Sequence, residues 1–210
     1  MPTNQFLNLG TEKQNNIIQV SISEFAQYGF VNASTNRIVK EVGISKGSLF
    51  KYFDSKEDLY FYVLDIVTGE MLQDMENGIK DLSTNLFQRI IDYSALEISW
   101  YIKNPVKGRL VIGATIESNE EIRSKTIERY GVKGENMYYG LLEGIVEEGF
   151  RQNKDKITDI LKWVLEGFNK DFLKKPDLRK ESFEQIKEEY IQRLTDYIKI
   201  LKKGFVEGSD

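Results

Sequence analysis

The feature that most constrains this chain is the stretch 34–58, Ser-Thr-Asn-Arg-Ile-Val-Lys-Glu-Val-Gly-Ile-Ser-Lys-Gly-Ser-Leu-Phe-Lys-Tyr-Phe-Asp-Ser-Lys-Glu-Asp. Its pattern predicts two short helices joined by a tight turn at Val42-Gly43-Ile44-Ser45, with a longer helix starting behind Ser55. In the first helix Ile38, Val39 and Val42 form an apolar face, while Arg37, Lys40 and Glu41 point away. Gly43 follows the last periodic residue, where a left-handed cap suits glycine alone. Ser45 is an N-cap for the second helix, and Ser55 with Asp58 opens the third in the manner of a capping box. Leu49, Phe50 and Phe53 are the expected buried anchors of the second helix, leaving Lys46, Ser48, Lys51 and Tyr52 for its outer surface. Helix, tight turn, helix is the geometry that places a short helix in a DNA major groove.

Charge supports that geometry. The 210 residues carry a net charge of −4, yet residues 34–56 hold five basic side chains against Glu41 and Asp54. A basic head on an otherwise acidic chain suits a DNA contact confined to one end. The chain contains no cysteine and no histidine, which removes thiol chemistry, Ser-His-Asp catalysis and the commonest metal ligand. No catalytic residue, metal site or cofactor is therefore expected. No leader-like segment opens the chain and no apolar run reaches the length of a membrane span, so the expectation is a cytoplasmic protein with no membrane partner.

The remaining pattern is helical throughout. Only three prolines interrupt it, and Glu, Lys, Ile and Leu dominate. Residues 1–10 are expected to be a frayed arm. Thr11 with Gln14 predicts a capped helix to about Tyr28, with Ile18, Ile22, Phe25 and Ala26 on one face. Gly29 should end it and Phe30-Val31-Asn32 link it to the helix-turn-helix. The helix after Ser55 carries Leu59, Tyr62, Val63, Ile66 and Val67. Further helices are expected at about 84–103, 105–117, 119–149 (interrupted near Gly131 and Gly134), 155–174 and 180–204.

Residues 11–59 resemble the DNA-binding domain of TetR-family transcriptional regulators. The resemblance rests on Phe25 and Gly29, on Thr35 and Ile38, on the turn Gly43-Ile44-Ser45, and on Gly47, Leu49-Phe50, Tyr52-Phe53 and Ser55-Lys56-Glu57-Asp58-Leu59. Phe50 stands where tyrosine is commoner in that family, and Asp54 where proline is frequent. The resemblance implies an all-α fold of about nine helices. A three-helix DNA-binding domain would occupy 11–58, with its helix-turn-helix at 34–53. A helical effector-binding and dimerisation domain would occupy 59–210. It also implies that Thr35, Ser45, Tyr52 and Lys56 meet phosphates, that Arg37 joins the DNA-facing set, and that Lys46, Gly47, Ser48 and Lys51 face the groove. Lysine can read guanine acceptors there.

In the helix at 84–103 apolar side chains cover more than half the circumference, so most of it should be buried. Glu97 falls in the middle of that arc. Two readings stay open for it. One is a structural partner, either Arg109 or Arg123 or a tyrosine hydroxyl. The other is a pocket carboxylate facing an effector, with Trp100, Tyr101, Met137, Tyr138 and Trp163 lining the cavity. Such an effector would be apolar or aromatic, with a cation as one option.

The last two helices carry apolar stripes that include Ile160, Leu161, Val164 and Phe168, then Tyr190, Leu194, Tyr197 and Leu201. By the resemblance this pair forms a four-helix bundle between two copies, and the resulting two-fold axis would match a palindromic operator. The expected function is a homodimeric repressor on double-stranded DNA, released by a small molecule. A DNA-binding protein of the same fold without that switch, or an activator, is the first alternative. A helical enzyme is the remote one.

Overall fold

The computed structural model describes residues 1–140, 145, 154–172 and 182–205. Among these, ten helices follow one another: α1 (Asn4–Leu7), α2 (Thr11–Asn32), α3 (Thr35–Val42), α4 (Lys46–Tyr52), α5 (Lys56–Ile79), α6 (Leu86–Lys103), α7 (Pro105–Thr115), α8 (Glu120–Gly140), α9 (Lys154–Phe172) and α10 (Phe183–Phe205). The described residues contain no strand. Two compact units result, Met1–Asp74 with Asn104–Arg129, and Met75–Lys103 with Tyr130–Asp210.

The first unit is built on α2 and α7, which pack along each other. Its core gathers Ile17, Ile22 and Phe25 of α2, Ile38 of α3, Leu49 of α4, Phe53, and Leu59 and Val63 of α5. These are the positions that the helical spacing places inward, and burying each apolar side chain contributes on the order of 2 kcal/mol. Tyr60 is enclosed by the rings of Phe25, Phe30 and Phe61. Ion pairs fasten α5 to its neighbours in this unit: Lys107 to Glu70, Lys125 to Glu57, and Arg129 to Asp65.

Several local expectations change here. The first ten residues are not a frayed arm. They include α1, whose Phe6 is fully buried between Tyr52, Phe53 and Tyr62. Thr3 donates its backbone N–H to Tyr52 O at 3.0 Å and its hydroxyl to Lys51 O at 2.7 Å, so the arm is tied to the end of α4. Thr11 is the first residue of α2 rather than its cap, which is Gly10. Gln14 turns back instead and donates to the carbonyls of Leu7 and Leu9. Gly29 breaks the helical geometry as expected, at φ 67 and ψ 176, but one further turn follows before Ala33. The backbone of α8 runs through Gly131 and Gly134 without interruption, as far as Gly140. A lone glycine costs a helix only about 1 kcal/mol, and regular bonding on both sides carries it through.

The second unit centres on α6, against which α10 lies. Leu86, Phe87, Ile90, Tyr93, Ile98, Trp100 and Tyr101 of α6 are buried, which matches its broad apolar arc. From α9 the buried side chains are Ile157, Leu161, Phe168 and Phe172, and from α10 they are Ile186, Tyr190, Leu194 and Ile198. Phe168, Phe172 and Tyr190 form a cluster of rings with centroids 5.0 to 5.9 Å apart, and Arg193 lies over two of them.

Candidate nucleic-acid interface

The turn between α3 and α4 is built as its sequence dictates. Gly43 sits at φ 77 and ψ 33, the left-handed conformation, and its N–H and that of Ile44 both donate to Val39 O at 3.0 Å. Ser45 then caps α4, its Oγ accepting from Ser48 N at 3.0 Å and lying 2.9 Å from Ser48 Oγ. At the far end Ser55 and Asp58 form the anticipated reciprocal pair: Asp58 N donates to Ser55 Oγ at 3.0 Å and Ser55 Oγ donates to Asp58 Oδ2 at 2.8 Å. Leu49 and Phe53 anchor α4 inward.

Phe50 is different. It was expected inside, yet it is 39% exposed. Four residues after Lys46 and three after Gly47, it belongs to their face and not to that of Leu49. Lys46, Gly47, Phe50 and Lys51 together make the exposed face of α4, with Ser48 at its border. A Cβ placed on Gly47 would meet nothing nearer than Ser45 Oγ at 3.8 Å, so glycine there serves no internal packing need. Such a face offers two lysines for phosphate or guanine, a bare backbone for close approach, and a ring suited to a thymine methyl. The i, i+4 spacing from Lys46 was the signal that could have assigned Phe50 to it.

Two other residues expected on DNA are engaged internally. Arg37 donates from Nε to both carboxylate oxygens of Glu24, at 2.9 and 3.1 Å, and from Nη2 to Asn32 O at 2.8 Å. Its guanidinium also stacks on Tyr28 with 4.1 Å to the ring centroid. Glu24 is buried and holds Ser34 N as well, at 2.7 Å. A buried carboxylate needs such a partner, and the fork of arginine supplies it. Lys56 points its ammonium at the carbonyls of Phe30, Val31 and Ala33, at 2.8 to 3.3 Å, and lies over the Phe30 ring. Burial lowers its pKa, opposed by Glu117 and Glu24. The end of α2 contributes in both cases: the last carbonyls lack helical N–H donors and accept from the nearest cations instead, Arg37 being held mainly by the Glu24 carboxylate. Thr35 opens α3 half-buried, and the Tyr52 ring is partly covered by Phe6.

In the second unit Glu97 meets one of its two expected kinds of partner. Tyr101 donates its hydroxyl to Glu97 Oε1 at 2.8 Å, while Arg123 pairs with Glu120 instead. Loss of hydration raises the Glu97 carboxyl above its ordinary value, and the Tyr101 hydrogen bond opposes this. Tyr93 and Tyr190 feel the same carboxylate. Tyr190 donates to Asn169 Oδ1 at 2.6 Å. Trp100 and Tyr101 are buried, their rings edge to face. Trp163 does not join them. It is 65% exposed, on the outward side of α9, nearly opposite the buried Leu161 and Phe168. The side chains of Met137 and Tyr138 lie outside the described residues.

The residues expected at a dimer contact divide in two. Leu161, Phe168, Tyr190 and Leu194 are buried within the protomer, because the centre of each stripe is used to pack α9 and α10 into their own unit. Ile160, Val164 and Leu201 are half-buried at the margins, and Tyr197 is exposed. Among the described side chains of these helices, the large apolar ones left outside are Trp163, Tyr197 and Ile200.

Comparison with known proteins agrees with this arrangement. Residues 17–63 match the family of bacterial regulatory proteins, tetR family. The fatty acid metabolism regulator protein of Bacillus subtilis is 28% identical over 144 residues, which is 67% of this chain and 69% of that protein. A TetR family transcriptional regulator from Chloroflexus aurantiacus superposes with a TM-score of 0.63 at 21% identity, covering 99% of each chain. The transcriptional regulator FadR from Bacillus subtilis, in complex with stearoyl-CoA, superposes with a TM-score of 0.63 at 17% identity, covering 86% of this chain and 97% of its own. Over residues 17–63, which hold the helix-turn-helix of α3 and α4, the chain thus matches the DNA-binding part of the tetR family of bacterial regulatory proteins, and its fold is that of the solved regulators above.

Proposed function

We propose that the protein is a homodimeric repressor, acting in the cytoplasm, that holds a palindromic operator through α4 and leaves it when a small molecule binds the helical body. The observation that carries the DNA half of this reading is the exposed face of Lys46, Gly47, Phe50 and Lys51, set on a helix whose opposite side is locked by Leu49. For sequence-specific contact Lys46, Ser48 and Lys51 are the base-reaching set, with Thr35, Ser45 and Tyr52 nearer phosphates. Arg37 and Lys56 act through the internal contacts described above. The exposed Trp163, Tyr197 and Ile200 support a second copy packing against α9 and α10, with Ile160, Val164 and Leu201 at the edge.

For the effector, an apolar molecule with one polar end suits the ring-lined surroundings of Glu97, Trp100 and Tyr101. A long-chain acyl-CoA is the first probe to use, since a protein of similar fold is described in complex with stearoyl-CoA. An aromatic cation is the second, because a partly buried carboxylate can hold one. The test is to select DNA from a random-sequence pool, then titrate the complex with stearoyl-CoA and with tetraphenylphosphonium. Selection of an inverted repeat and release by either molecule are expected. Selection without release by any ligand favours a regulator lacking the switch, and added ligand that tightens binding favours an activator. Release requires unequal ligand affinity for the bound and free conformations.

A further inference from the structure

The geometry points to Glu117 as a positioning residue for the helix-turn-helix: its carboxylate fixes the broken end of α2, and through it the start of α3. A ψ of 176 at Gly29 turns over the peptide between residues 29 and 30, so the Phe30 N–H can no longer reach a carbonyl four residues back. Glu117 Oε2 accepts that orphan N–H at 2.8 Å, although the two residues are 87 apart in sequence. The other oxygen is spent on its own turn, accepting from Ser118 N at 2.8 Å, Ser118 Oγ at 3.1 Å and Asn119 N at 3.2 Å. Asn119 in turn caps α8, accepting from Ile122 N at 3.0 Å. One buried carboxylate thus joins the α7–α8 turn to the kink of α2.

The kink itself is shaped to receive it. Gly29 has a left-handed φ, and a Cβ there would come within 3.2 Å of Glu117 Oε2. Across the same joint Lys56 holds the carbonyls of Phe30, Val31 and Ala33, so the N–H side is gripped by an anion and the C=O side by a cation. Residue 34, where α3 is capped, follows directly, and Glu24 takes its N–H. The direction of α3, and with it of α4, is therefore set by the last turn of α2. Neither Glu117 nor Lys56 need touch DNA to control how α4 meets the groove. This inference rests on the reading of α4 as the DNA-facing helix.

The experiment uses the full-length protein, with DNA selected by the wild type from a random-sequence pool. Glu117→Ala, Glu117→Gln and Lys56→Met are compared with wild type for affinity at several salt concentrations, at temperatures where each is folded. Amide hydrogen exchange at Phe30 is followed in parallel without DNA. Glu117→Ala is expected to lose protection at Phe30 and to bind the selected DNA about tenfold more weakly, the loss expected for one charge-assisted hydrogen bond. Its salt slope should be unchanged, since no phosphate contact is removed. Glu117→Gln, which keeps an acceptor, should recover most of both. Lys56→Met should weaken binding with an unchanged slope as well, and it keeps the proposal testable if Glu117→Ala fails to fold. Lost protection with undiminished affinity would show a latch that positions nothing, and unaltered exchange would show no latch. A slope reduced by about one for Lys56→Met would return that lysine to the phosphates and overturn its part. If the wild type selects no sequence while Phe30 exchange still responds to Glu117→Ala, the DNA reading fails and the latch stands only as a structural joint.

Discussion

Tyr101 donates its hydroxyl to Glu97 Oε1 across 2.8 Å, one helical turn away on α6, in surroundings shared with Tyr93 and Tyr190. Folding raises this carboxyl above its ordinary value of 4.5, so the folded chain binds the proton more tightly than the unfolded one. The stability associated with it is complete below about pH 4.5 and declines as pH rises through the raised value. Glu97→Gln keeps an acceptor for Tyr101 and removes the ionisation. It should melt higher than wild type at pH 7, with the difference shrinking toward pH 4. A melting difference that is constant with pH would mean that the carboxyl is not desolvated. An unchanged effector response in this variant would also count against Glu97 as an effector contact.

Phe6 ties α1 to α4 and α5 through three ring contacts. Phe6→Ala should cost about 3 kcal/mol, at the lower end for a buried phenylalanine because α1 is short and its site can collapse. Chemical denaturation measures this directly. A loss below about 1 kcal/mol would mean that the arm does not brace the helix-turn-helix.

Arg37 holds buried Glu24, and Glu24 also holds the N–H that opens α3. Arg37→Ala should therefore lower the melting temperature in the absence of DNA, which an exposed phosphate contact would not do. If melting is unchanged and only the salt slope of DNA binding falls, Arg37 belongs to the DNA contact after all.

Trp163 is 65% exposed on α9, and Ile200 is 68% exposed on α10. A charge in an apolar interface carries a desolvation penalty of several kcal/mol. Trp163→Glu and Ile200→Glu should shift the protein from dimer to monomer in sedimentation at micromolar concentration, with helix content retained. A dimer that persists in both variants would place the contact elsewhere.

Much of this arrangement was legible because local rules and tertiary packing agree. Gly43, Ser45 and the Ser55–Asp58 pair each satisfy a backbone requirement within four residues, so sequence alone specifies them. The stripes on α9 and α10 also read correctly as apolar, but which neighbour each of their residues meets was not legible. An i, i+3, i+4 pattern says that a face is buried, not whether the neighbour belongs to the same chain, and Leu161 and Leu194 are buried within the protomer. Lys56 and Arg37 show the converse limit. A cation near a helix-turn-helix reads as a phosphate ligand unless the orphan carbonyls and the buried carboxylate that claim it are known. Those depend on the kink at Gly29 and on Glu24 and Glu117, residues with no local signature. Phe50 was misplaced by grouping it with Leu49 and Phe53 as an apolar anchor, when its spacing from Lys46 placed it outside.

The central claim is that α4 reads DNA through its lysines. The direct measurement is the affinity of wild type, Lys46→Ala and Lys51→Ala for the DNA selected by wild type, each across a range of salt concentrations. Both lysines are exposed on α4, so both variants should melt as wild type does. Weaker binding is expected for each, and a lysine that meets a phosphate should lower the salt slope by about one. Affinity equal to wild type at every salt concentration in both variants would contradict the account.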